Sequence, residues 1–183
     1  VDSIHIPDFS GDLFRLMGVV WGYCNEYKHS SKPADYLYVY GRNGDEAFFN
    51  ENVKPMFSDI FNKSAKVSEY GRSKYPFVVI SSRAITSFLN HNLRFHKGSD
   101  NFDFIDFDTV CADHKPSDVE KYKQAFFEGL VSTGFYDSDF HTLAIRAPFS
   151  SKNAAPEFVT NLGFTPQYDP VYNKGNRASK IPA

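Results

Sequence analysis

Apolar residues recur at helical spacing near the start of the chain. Leu13, Leu16, Met17, Val20 and Trp21 predict a first helix, with Asp8 or Ser10 able to cap it. Gly18 and Gly22 lie one turn apart within it. A glycine inside a helix costs about 1 kcal/mol relative to alanine, a cost that makes sense where a second backbone must come close. After a polar turn over 28–34 the period changes to two. Leu37 and Val39 take one side of a strand over 35–42, and Tyr36, Tyr38, Tyr40 and Arg42 take the other. Asn43, Gly44 and Asp45 break the strand and offer a cap to a helix over 45–62. Pro55 should kink that helix or delay its regular start. Strands over 63–70 and 75–80 follow, joined by a hairpin at 71–74, and then a helix over 81–93. The stretch 90–116 is mixed and polar, a natural connector whose alternating Phe residues allow an edge strand.

The opening pattern then returns. Ser117 is placed to cap a helix reaching about residue 133, with Tyr122, Phe126, Phe127, Leu130 and Val131 on its apolar side and Gly129 within it. A turn over 134–139, a strand over 141–147 and a helix over 150–162, ended by Gly163, come next. Residues 164–172 read as a last extended segment. Two glycine-bearing helices, each leading through a turn into strand, helix and strand, indicate an internal repeat, which outranks any local motif as fold evidence. The expected fold is α+β, in two pseudo-symmetric halves with helices covering one face of each sheet. The expected divisions are 1–95, a connector over 96–116, a shorter second half over 117–172 and a basic tail over 173–183.

Composition narrows the function classes. The 183 residues carry a formal net charge of −2, which excludes a basic nucleic-acid binder of uniform charge and leaves room for a local basic face. No run approaches the roughly 18 apolar residues of a membrane span, and the N-terminal residues lack a basic-then-apolar signal pattern. No membrane partner is expected. Two cysteines make no disulfide framework, so an intracellular, reducing compartment is the expectation. Aromatics reach 17%, with 19 Phe and 11 Tyr, enough for a ring-built core and also for a base-stacking surface.

The repeated motifs give this pattern a family likeness. Leu16-Met-Gly-Val-Val-Trp-Gly-Tyr23-Cys24 and Phe126-Phe-Glu-Gly-Leu-Val-Ser-Thr-Gly134-Phe135 resemble the two motifs of the LAGLIDADG homing endonucleases, and the resemblance extends over roughly residues 10 to 165. It implies two αββαββα halves whose motif helices pack together, with Gly18, Gly22 and Gly129 at the contact. It also implies two sheets forming a saddle for duplex DNA, and an acid at the foot of each motif helix to bind divalent metal for phosphodiester hydrolysis. Those acid positions are Tyr23 and Gly134 here, and Ser132 stands where the second motif usually has Asp. Neither Tyr23 nor Gly134 offers the anionic oxygen that Mg²⁺ needs. Displaced acids are Glu26 and Asp137, each three residues past its motif position; their alternative reading is as solvated turn residues.

The resemblance therefore implies a LAGLIDADG-like protein that binds DNA or structured RNA without nuclease activity and without a cofactor, with a ribonucleoprotein assembly as one setting. The alternatives are an active, Mg²⁺-dependent site-specific endonuclease using Glu26 and Asp137, and a structural protein-interaction subunit. Binding residues expected on the saddle are Tyr36, Tyr38, Tyr40 and Arg42 on the first strand, Lys66, Arg72 and Lys74 around the hairpin, and Arg146 in the second half. Cys111 and His114 make half of a zinc pattern. No second pair accompanies them, and four ligands are required, so no metal is expected there.

Overall fold

The computed structural model describes residues 4–23, 26–28, 36–70, 75–93, 105, 107–137, 142–146, 167–168 and 178–182. Helix α1 (Gly11–Gly22) begins at Ser10, whose extended backbone lets its Oγ accept from the Leu13 amide at 3.2 Å. Leu13, Phe14, Leu16, Met17, Val19, Val20 and Trp21 are all buried along it. A helix apolar on nearly every side belongs inside the protein, and α1 is the central element. Strands β1 (Glu26–Lys28) and β2 (Tyr36–Tyr40) follow. The helical stretch after β2 is broken into α2 (Glu46–Phe48), a π-helical turn (Phe49–Val53) and α3 (Lys54–Phe61). Pro55 lies in the first turn of α3, where its missing N–H costs nothing, and the wider turn ahead of it relieves the clash with residue 51. Strands β3 (Lys66–Tyr70) and β4 (Tyr75–Ser81) lead to α4 (Arg83–His91), capped by Ser82 Oγ on the Ile85 amide at 3.3 Å. The helical turn α5 (Phe107–Val110) precedes α6 (Pro116–Ser132).

Helices α1 and α6 form the main contact between the halves. Their glycines meet reciprocally. A Cβ on Gly18 would overlap the Phe126 carbonyl oxygen and stand 2.7 Å from the Leu130 nitrogen, and one on Gly129 would overlap the Arg15 carbonyl oxygen. A Cβ on Gly22 would overlap Thr133 Oγ1. The backbones touch because no side chain separates them. At the exposed rim Arg15 Nη2 meets Glu128 Oε2 at 2.7 Å.

The two sheets share one plan. The first has the order β1-β2-β4-β3. The second has β5-β6-β8-β7, from β5 (Phe135–Asp137), β6 (Thr142–Arg146), β7 (Gln167–Tyr168) and β8 (Ala178–Pro182). All pairings are antiparallel. Tyr36 faces Ser81 and Tyr40 faces Phe77 in the first sheet, as Thr142 faces Pro182 and Arg146 faces Ala178 in the second. The fold is the expected α+β repeat.

Four local expectations change. Residues 173–183 are more than a tail, since Ala178–Pro182 forms β8 between β6 and β7. Only pairing reveals it: Ile181 is its one large apolar residue, and Pro182 sits at the strand end, where a missing amide is tolerated. The turn over 134–139 contains a strand, because β6 supplies partners to Phe135–Asp137 despite their turn-like surroundings. Helix α6 starts before Ser117, with Lys115 at the cap position and Pro116 in the first turn, the place its fixed φ suits. In the connector, Phe107 to Val110 is helical, whereas 101–104 and 106 of the alternating Phe stretch lie outside the described residues. The expected helix over 150–162 lies outside the described residues, as does the hairpin tip with Arg72 and Lys74. Among the described residues no helix is long and apolar enough to cross a membrane.

Candidate nucleic-acid interface

Helices α1 and α6 end side by side, and a chain of polar contacts joins their feet. Tyr23 closes α1 through its amide on the Val19 carbonyl at 3.2 Å. Its ring is buried against Phe49, at 5.0 Å between centroids, and Phe48. The Asp45 carboxylate stands beside its hydroxyl. Burial, then the charge and hydrogen-bonding pull of Asp45, push the phenol pKa well above its ordinary value, with Arg42 opposing them, so Tyr23 stays protonated. Asp45 Oδ2 also accepts from the Arg42 amide at 2.7 Å. The Arg42 guanidinium donates to the Thr133 carbonyl oxygen across the interface. That carbonyl belongs to the C-terminal end of α6, where the helix dipole favours a cation. Thr133 Oγ1 donates to the Leu130 carbonyl at 2.7 Å, and the Gly134 amide donates to the Val131 carbonyl at 2.8 Å.

Calcium and magnesium are held by several oxygen ligands, carboxylates prominent among them. The described side chains at these helix feet supply one carboxylate, Asp45, already engaged by Tyr23 and Arg42, together with a neutral phenol and a guanidinium. That donor set does not fit a divalent cation. Among the described residues no three His, Cys, Asp or Glu side chains come together as a metal site. Of the displaced acids, Glu26 lies in β1 opposite Tyr38 and Asp137 lies in β5 opposite Thr142.

The outer face of the first sheet is the second feature. Leu37 and Val39 are fully buried, and Tyr36, Tyr38 and Tyr40 are half-buried on the opposite side. Successive rings lie 6.1 and 5.9 Å apart, and Tyr40 meets Phe77 of β4 at 5.7 Å. Lys66 is exposed on β3 and stands opposite Val79, which stands opposite Tyr38. Arg42 departs from the expected surface stripe because it turns into the helix-foot contact. Arg146 occupies the end of β6 opposite Ala178. Cys111 is buried, which raises its thiol pKa, and His114 stacks on Phe9 at 5.0 Å. Both serve packing.

Sequence reasoning passed over Asp45 and Thr133. Asp45 read as a helix cap. It stands at the cap position of α2 without a capping bond and instead ties β2 to Tyr23. The available signal was a charged pair, Arg42 and Asp45, spanning a strand-to-helix turn next to a motif that had lost its acid.

No protein-family model matches the chain, and no curated protein matches it. Solved structures do. The crystal structure of I-DmoI in complex with DNA and Ca aligns with 94% of this chain and 83% of its own, at a TM-score of 0.57 and 14% identity. The complex of I-DmoI with DNA and Mn covers 93% and 89%, at 0.57 and 15%. A structure from a study of mesophilic variants of the homing endonuclease I-DmoI covers 93% and 88%, at 0.58 and 12%. The chain has the fold of the LAGLIDADG homing endonucleases.

Proposed function

We propose that this chain is a nucleic-acid-binding protein built on the LAGLIDADG homing endonuclease fold, without metal-assisted strand cleavage. The observation that carries the reading is the contact chain Tyr23–Asp45–Arg42–Thr133. It fills the helix feet, where the family resemblance calls for metal-binding acids, with a protonated phenol and a fixed cation. Binding itself is supported by the shared fold and by the DNA present in the I-DmoI complexes. The paired sheets give a nucleic acid two surfaces related by the repeat, with Lys66 and Arg146 on strands of opposite halves.

The test pairs binding with cleavage. A randomised duplex library is incubated with the protein and Mg²⁺ or Mn²⁺ and sequenced for new ends, and binding to the same pool is followed by fluorescence anisotropy at rising salt. The expected result is binding that weakens steeply with salt, no new ends, and no heat of Mn²⁺ binding in calorimetry. Cleavage abolished by Glu26→Gln or Asp137→Asn would overturn the non-nuclease part and restore the displaced acids.

A further inference from the structure

The outer face of the first sheet is richer in rings than the reading of a duplex requires. Duplex base edges are read chiefly by Arg, Lys, Asn and Gln. At the described outer positions of β2, β3 and β4 stand Tyr36, Tyr38, Tyr40, Phe77 and Val79, with hydroxyls at Ser68 and Ser81, and only Lys66 belongs to that set. Tyr75 at the start of β4 is 41% exposed, one of the two large apolar side chains so exposed among the described residues. What such a row offers is π surface, on which any base can stack regardless of sequence. A duplex keeps its bases stacked on one another and presents edges; an unpaired strand presents base faces.

The second sheet supplies the complementary charge. On its paired strands β6 and β8 stand two cations, Arg146 opposite Ala178 and Lys180 opposite Ala144. We infer that the first sheet is a stacking platform for unpaired nucleotides, and that the chain takes a single-stranded or looped-out nucleic acid with bases on Tyr36, Tyr38 and Tyr40 and phosphates toward the second sheet. This deepens, and rests on, the nucleic-acid reading above.

The experiment uses the full chain and three labelled probes of equal length: an oligo-U strand, an oligo-dT strand and a mixed-sequence duplex. Anisotropy is read for the wild type, Tyr38→Leu and Tyr38→Phe, with thermal unfolding of each variant. Both single strands should bind more tightly than the duplex. Tyr38→Leu should weaken single-strand binding about tenfold, the effect of one lost stacking contact, and leave duplex binding within about twofold. Tyr38→Phe, which keeps the ring, should bind like the wild type. Should Tyr38→Leu fail to fold, Tyr36→Leu at the strand end gives the same comparison. A duplex bound more tightly than either strand, or equal losses for both probe classes, overturns the platform and leaves nucleic-acid binding standing. Absence of binding to all three probes overturns the nucleic-acid reading itself, and a protein partner then becomes the occupant to seek.

Discussion

The helix pair and the two sheets treat the same internal repeat in opposite ways. At α1 and α6 the halves are chemically alike: Gly18 rests on the backbone at Phe126, and Gly129 rests on the backbone at Arg15, the counterpart of Phe126. In the sheets the strand order is duplicated, yet the second strand is Tyr-Leu-Tyr-Val-Tyr over Tyr36–Tyr40 in one half and Thr-Leu-Ala-Ile-Arg over Thr142–Arg146 in the other. Close packing permits little variation, because a single added carbon meets backbone that cannot yield. A sheet face open to solvent tolerates any side chain that the strand can carry. Symmetry is thus kept where the helix backbones touch and lost in the residues of the second strand of each sheet.

The largest test breaks the symmetric region. Gly18→Ala and Gly129→Ala should each destabilise the chain by about 3 kcal/mol or more, since the new methyl overlaps backbone, and the two losses should agree within about 1 kcal/mol. Urea unfolding measures both. A large loss at one glycine with none at the other would end the claim of reciprocal packing.

A smaller effect sharpens the contrast at the helix feet, where Tyr23 has no side-chain counterpart in Gly134. The folded phenol holds its proton above the ordinary value of 10.0. Below pH 10 both states are protonated, and this contribution to stability is complete. Above it the unfolded chain ionises first, so stability should fall with pH by up to about 1.4 kcal/mol per unit for this group. Tyr23→Phe should flatten that part of the profile between pH 10 and 12, as read by denaturant midpoints. An unchanged slope would mean that the phenol is not shielded.

The smallest effect addresses the second sheet. Arg146→Ala should weaken nucleic-acid binding modestly and lower the salt slope by about 1, while leaving the preference between single strand and duplex intact. A lost preference would assign base contact to β6 and dissolve the division between the sheets.

Much of this was legible in the amino-acid order. The alternation of Leu37 and Val39 with the tyrosines gave β2 its two faces, since a side-chain period of two permits one register with the apolar set inside. Gly18 and Gly129 marked the helix contact because a costly residue in a buried helix needs a reason. Strand β8 was hidden, for Ala178, Ser179, Lys180 and Pro182 have little strand preference and acquire it from the neighbours β6 and β7. Asp45 and Thr133 were hidden too, because a contact between a turn and a helix end far apart in sequence leaves no periodic trace.

The sequence by itself determined the repeat, the apolar faces and the absence of an acid at Tyr23 and Gly134, all set by residue type and spacing. Only the tertiary structure decided what filled the place of those acids. Bringing Arg42 and Thr133 together requires both helices to be docked, and a guanidinium on a helix-end carbonyl exists only once two distant segments share a low-dielectric interface.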